Sequence, residues 1–114
     1  MQKKYLAFMF LLFFPIFSFA SHVNTTCNKQ DTFAIHAAIT SYIEKNSDMH
    51  AQDVTILKLQ CLNRYASAIV HPKKPVTDDA TVYLQKTKKW KVLALGTDFD
   101  RHQLKEIPKQ IRTF

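Results

Sequence analysis

The chain has 114 residues, a formal net charge of +7 and a hydrophobic fraction of 46%. This length predicts one small domain with a modest core. A single glycine excludes the usual glycine-rich phosphate loop, and neither H-E-x-x-H nor C-x-x-C occurs.

The first 20 residues are typical of a targeting segment. Lys3 and Lys4 precede an unbroken apolar run at 5–14, and small residues flank Phe19 before the expected cut. This pattern predicts a signal peptide at 1–20, cleaved after Ala20, which leaves residues 21–114 as a single periplasmic or secreted domain. The alternative is a retained membrane helix, but the apolar run is shorter than the roughly 20 residues that a span needs.

The chain contains two cysteines, Cys27 and Cys61. An even pair in an exported chain predicts a disulfide bond, because the compartments outside the cytosol are oxidising. The alternative is a reactive thiol near His36, which the oxidising environment disfavours.

Residues 30–46 are predicted to form the one long helix, with Asp31 as its N-cap. Five apolar residues follow helical spacing and form a stripe; they are Ile35, Ala38, Ile39, Tyr42 and Ile43. Phe33 lies off the stripe and is predicted to anchor the start of the helix. His36 is interpreted as a boundary histidine at the edge of the core.

Residues 53–62 and 65–71 are predicted to form two strands joined by a turn at Asn63 and Arg64. A two-residue turn pairs 61 with 66, 59 with 68 and 57 with 70. One face is then wholly apolar; it comprises Leu57, Leu59, Cys61, Ala66, Ala68 and Val70. Residues 71–79 are predicted to be a loop, since two prolines interrupt the strand pattern.

A second hairpin is predicted from the apolar runs at 82–84 and 90–95. An even-length loop pairs 84 with 93 and 82 with 95, which places Val82, Leu84, Leu93 and Leu95 on the core face. Tyr83, Trp90 and Val92 then lie on the other face. An odd-length loop with a bulge is the alternative, and it would shift this pairing.

The element order predicts an α+β fold, in which one N-terminal helix packs on a four-stranded antiparallel meander. Near the C-terminus, Leu104, Ile107 and Ile111 have helical spacing, but Pro108 prevents a continuous helix. A short C-terminal turn or helix is therefore expected.

The order V-Y-L-Q-K, W-K-V, L-G-T-D-F and I-P resembles small secreted bacterial domains of unknown function, which are similar to cystatin-like and NTF2-like proteins. The likeness rests on six residues of the last third of the chain: Trp90, Val92, Gly96, Thr97, Ile107 and Pro108. It implies one helix packed on an antiparallel meander. The cystatin inhibitor motif Q-x-V-x-G is absent, so no protease-inhibitor role follows, and T-K-K stands where such relatives often have a glycine-rich turn.

The favoured function is a non-enzymatic binding domain whose open aromatic sheet face holds a protein or an anionic envelope component. The residues predicted to contact this partner are Tyr65, Tyr83, Trp90, Lys86, Lys88, Lys89 and Lys91. The alternatives are that Phe99, Ile107 and Phe114 cover the face and that these lysines, with Lys73 and Lys74, form a solvated surface.

Two other functions are open. One is a small ligand-binding protein or hydrolase with an NTF2-like pocket between helix and sheet, in which His36 or His71 acts as a base beside an aspartate. The other is a homodimer formed through the open face. No catalytic residue, cofactor, metal site or nucleic-acid partner is predicted, because the five histidines lack ligand spacing and Asp98 with Asp100 matches a calcium loop poorly.

Overall fold

The computed structural model describes residues 23–74 and 77–112. The predicted signal peptide, Pro75 and Phe114 lie outside the described residues.

The described chain is α+β, as predicted. Its main elements are α1 (Lys29–Asn46), β1 (Val54–Leu62), β2 (Tyr65–Pro72), β3 (Ala80–Lys86), β4 (Trp90–Gly96) and α2 (Arg101–Leu104). The four strands form one antiparallel sheet in the order β1-β2-β3-β4. The C-terminal segment contains only the single turn α2 and a 3-10 turn, Lys109–Ile111.

Helix α1 begins one residue earlier than predicted, and its cap is Asn28 rather than Asp31. The Asn28 side chain accepts a hydrogen bond from the Asp31 backbone N–H at 2.7 Å, which satisfies a donor of the first turn. The prediction that Phe33 anchors the helix start is wrong, because this side chain is 80% exposed.

The first hairpin has the predicted turn. Asn63 and Arg64 adopt φ values of 51° and 67°, the left-handed pair that a two-residue hairpin turn requires. Cys61 pairs with Ala66, so the predicted register holds beside the turn.

A bulge between Leu57 and Gln60 changes the register farther along β1. Lys58 has a φ of 51°, and Ile56, not Leu57, pairs with Val70. The predicted core position of Leu57 is therefore wrong, and its side chain is 41% exposed. The extra residue of a bulge moves the side chains beyond it to the opposite face.

The second hairpin also contains a register shift that changes which side chains face the helix. Val82 pairs with Leu95 as predicted, but a register shift next to Tyr83 pairs Leu84 with Val92. The loop between Lys86 and Trp90 therefore has an odd length, which was the alternative prediction. Trp90 and Val92 move to the helix side, and Leu93 is 41% exposed instead of buried.

The sheet takes part in two buried clusters. The larger cluster joins the α1 isoleucines to one sheet face; its fully buried members are Ile35, Ile39, Ala66, Ala68, Val82 and Leu84. The smaller cluster joins Tyr83 to Leu104, Ile107 and Ile111, with Phe99 packed against it. The C-terminal segment thus covers the part of the second sheet face around Tyr83, which agrees with the alternative prediction for Phe99 and Ile107 rather than with a fully open face.

The predicted disulfide between Cys27 and Cys61 is present, with Cα atoms 5.1 Å apart and a sequence separation of 34. The segment before α1 also accepts a backbone hydrogen bond at Thr25 from the Cys61 N–H at 2.7 Å. The disulfide and this hydrogen bond therefore both attach the segment before α1 to β1. Within the described residues, no helix is both long and apolar enough to cross a membrane.

Candidate functional site

The predicted partner-binding aromatic residues do not share one surface. Tyr83 is 1% exposed beneath the C-terminal segment, and Tyr65 packs against the same cluster. Trp90 is 7% exposed and lies in the helix-side cluster, because the odd-length loop turned it to that face. The role of these three residues in binding a partner stays a prediction. A single exposed aromatic face no longer supports it, because the three side chains lie in two different clusters.

Asp31 is the acceptor at the junction of α1 and the second hairpin. Its Oδ1 accepts hydrogen bonds from the Trp90 indole N–H at 3.1 Å and from the Lys86 ammonium at 3.2 Å. The Trp90 bond contributes most to holding the pKa of Asp31 below its ordinary value of 3.8; burial opposes this, and the bond and charge of Lys86 add to it.

The predicted basic residues differ in their environments. Lys86 is committed to Asp31, whereas Lys88, Lys89 and Lys91 are exposed around and beyond the β3–β4 turn. Arg64 was predicted only as a residue of the first turn, not as one of the basic site residues. It supports the β3–β4 turn by donating hydrogen bonds to the carbonyl oxygens of Lys86 at 3.0 Å and Thr87 at 2.6 Å. Lys73 and Lys74 lie past the opposite end of β3 and do not join this group.

The two histidines of the hydrolase alternative lie apart. His71 Nδ1 is 2.6 Å from Asp79 Oδ1, and the two side chains are 50% and 53% exposed. His36 is exposed on α1. Because His71 does not line the space between helix and sheet, its pairing with Asp79 forms no enclosed general base, and the catalytic role stays a prediction.

A cleft with a volume of about 320 Å³ lies between the C-terminal end of α1 and the sheet. We call it the α1 cleft. Residues from α1 and all four strands line it, because β1 and β3 begin where β2 and β4 end. Its apolar lining comprises Tyr42, Ile43, Met49, Val54, Val70, Pro72, Ala80 and Leu95.

Polar side chains surround this apolar lining. Asn46 and Ser47 donate to the last carbonyl oxygens of α1, those of Tyr42 at 2.8 Å and Ile43 at 2.7 Å. At the opposite rim, Thr77, Asp78 and Thr97 are exposed. Asp78 forms no ion pair with another described residue, so its carboxylate is available to a ligand.

Sequence reasoning gave a pocket between helix and sheet only as an alternative and did not identify the residues that line the α1 cleft. It predicted a wholly apolar sheet face under the helix, and most residues of that face, though not Leu57 or Leu93, belong to or pack against the larger cluster. The cleft lies between the C-terminal end of α1 and the ends of the strands, and helix crossing geometry depends on side-chain packing rather than on a local motif.

Within residues 23–74 and 77–112, no group of three or more His, Cys, Asp or Glu side chains could hold a metal ion. In the comparisons with known proteins, the chain matches no family model, no curated protein and no solved structure.

Proposed function

We propose that this protein is an exported, non-enzymatic binding protein that holds a small, mainly apolar ligand in the α1 cleft. The observation that carries the proposal is the cleft itself, an apolar concavity with a few polar groups at its rim. Ligand sites in proteins typically have this composition, and about 320 Å³ is near the lower end of their usual range of roughly 300–1,000 Å³.

The rim selects the polar end of the ligand. Asp78 contributes a carboxylate, and the carbonyl end of α1 carries the negative end of the helix dipole. No lysine or arginine lines the cleft. A ligand with an apolar body and a hydrogen-bond-donating, positively charged head, such as an aryl-alkyl amine, therefore fits the site better than an acid of the same shape.

Export rests on two separate arguments. The N-terminal sequence has the composition of a cleavable signal peptide. The disulfide between Cys27 and Cys61 is consistent with an oxidising location. A pocket between helix and sheet is also what a small ligand-binding protein requires, whichever ligand it takes.

The test is a titration of the oxidised protein with three probes of similar shape, phenethylamine, 2-phenylethanol and phenylacetate, followed by amide chemical shifts. We expect all three probes to shift the amide signals of Gly96 and Thr97. The amine should need the lowest concentration to do so and phenylacetate the highest. Ala80→Phe should weaken amine binding by roughly tenfold or more, because the added ring occupies the apolar floor.

Ala37→Phe is the matched control, since it adds the same ring on an exposed part of α1 away from the cleft. Asp78→Asn should remove the preference for the amine over the alcohol. The proposal fails if none of the probes shifts the cleft amides, or if Ala37→Phe and Ala80→Phe weaken binding equally.

A further inference from the structure

A second concave surface lies along β4, outside the α1 cleft. It is a shallow groove between α1 and β4 with a volume of about 470 Å³, which we call the β4 groove. The helix contributes small side chains, among them Ala34 and Ala38, and the strand contributes Trp90 and Val92. Small side chains let a bound chain approach α1 closely, and Trp90, which is 7% exposed, borders the groove.

Three lysines give the β4 groove its charge. Lys45 comes from the last turn of α1, and Lys89 and Lys91 come from the start of β4 and the turn before it. None of the three forms a salt bridge within the described part of the chain, and no carboxylate lines the groove. Three uncompensated ammonium groups around one groove favour an anionic occupant.

The backbone of β4 favours an extended occupant. β4 is an edge strand, paired only with β3 among the described strands. The outer edge of such a strand presents N–H and C=O groups that an added strand can bind. Lysines disfavour pairing with a second copy of this chain, because like charges would face each other, but they attract an acidic segment.

We propose that the β4 groove binds an extended, acidic peptide segment of a partner protein. The segment lies along the outer edge of β4, its carboxylates pair with Lys45, Lys89 and Lys91, and its apolar side chains contact Trp90 and the small residues of α1. This proposal does not depend on the small-ligand function of the α1 cleft.

The test uses a short, labelled peptide of Glu-Glu-Val-Val repeats, which places both residue types on each face of an extended chain, with binding to the oxidised protein followed by fluorescence anisotropy. We expect saturable binding that weakens as salt increases and that changes the emission of Trp90, the only tryptophan of the chain. The combined change Lys45→Glu, Lys89→Glu and Lys91→Glu should weaken binding by roughly tenfold or more.

The matched control is Lys73→Glu, Lys105→Glu and Lys109→Glu, which changes the net charge equally at exposed lysines outside the groove. It should retain binding within about twofold of the parent protein. N-methylation of alternate peptide amides should weaken binding, because it removes donors to β4.

Three results would overturn the proposal. The first is an equal loss of binding in the two triple variants, which would show attraction to net charge alone. The second is equally tight binding of inorganic polyphosphate or anionic phosphatidylglycerol vesicles, with displacement of the peptide, which would show a general anion surface. The third is the absence of saturable peptide binding at low salt.

Discussion

At the residue scale, Asp31 shows how one side chain can link two elements. Sequence pattern placed it at the helix cap, but Asn28 occupies that position and leaves the Asp31 carboxylate available. The carboxylate then accepts from Trp90 and Lys86 of the second hairpin. These bonds help to hold the odd-length β3–β4 loop and the start of the β4 groove against α1.

Asp31→Asn should destabilise the protein at neutral pH by about 1 kcal/mol. The substitution removes a negative charge that pairs with Lys86 and that makes the hydrogen bond from Trp90 stronger. The lowered pKa of Asp31 determines the sign of the pH effect. The ionised Asp31 carboxylate contributes its full stabilisation of the folded state when the pH is above 3.8, the ordinary pKa of this group. That stabilisation is lost as the pH falls through the lower pKa that Asp31 has in the folded protein. Urea unfolding between neutral pH and about pH 2 measures this loss.

Asp48→Asn is the control, because Asp48 is an exposed carboxylate with no ion-pair partner among the described residues. It should keep the parent pH profile within error. If the Asp31→Asn variant loses as much unfolding free energy at acidic pH as the parent protein does, the stabilising role of the Asp31 carboxylate is contradicted.

At the element scale, the C-terminal segment acts as a second layer on the sheet. Its two short turns are connected by Arg112, which donates to the carbonyl oxygens of Ile107 at 2.9 Å and Leu104 at 2.7 Å. Phe99 packs edge-on against Tyr83, with ring centroids 5.2 Å apart. The segment is thus a structural part of the fold although it contains little regular structure.

Ile111→Ala should cost about 2–5 kcal/mol of unfolding free energy, because Ile111 is fully buried against the second sheet face. Leu93→Ala provides the comparison, since Leu93 is an apolar residue of β4 that is 41% exposed. Its cost should be within about 0.5 kcal/mol, which chemical denaturation can distinguish from the larger value. Equal costs in the two variants would show that the segment does not stabilise the sheet.

The strands show how much the sequence could predict. The turn at Asn63 and Arg64 has a local signal, so the pairing of Cys61 with Ala66 was predicted correctly. The two register shifts lack such a signal. At the first, Lys58 adopts a positive φ without being glycine or asparagine, and no glycine or proline marks the second, next to Tyr83. Each shift moves the residues beyond it by one position, which explains why Leu57 and Trp90 were assigned to the wrong faces.

The same limit applies to the candidate sites. Lysines around the second turn were predicted, but their separation into Lys86, which is paired, and Lys89 and Lys91, which line the β4 groove, depends on tertiary contacts. Lys45 is distant in sequence and joins the groove only through helix packing. Concave surfaces form between elements, so residue periodicity alone does not locate them.

At the scale of the whole molecule, the sheet has α1 on one face and the C-terminal segment over part of the other. A small domain of this kind has a limited buried area and gains much from a covalent bond. The disulfide attaches the segment before α1 to β1 and thereby restrains the helix that borders both the α1 cleft and the β4 groove.

Replacing Cys27 and Cys61 with serine should lower the unfolding free energy by about 3–4 kcal/mol, the chain-entropy value for a loop closed over a separation of 34 residues. Urea unfolding of the oxidised protein and the double variant measures the difference. The reduced parent protein is the control and should match the variant. A difference below about 1 kcal/mol would contradict a stabilising role for the bond.

The disulfide also simplifies maturation. Two cysteines allow a single intramolecular pairing, whereas four would allow three. Oxidation within one chain therefore leads to the native bond without reshuffling by an isomerase. Cys61 follows α1 in the sequence, so if the chain is exported as proposed above, the bond closes only after the whole helix and most of β1 have left the cytosol.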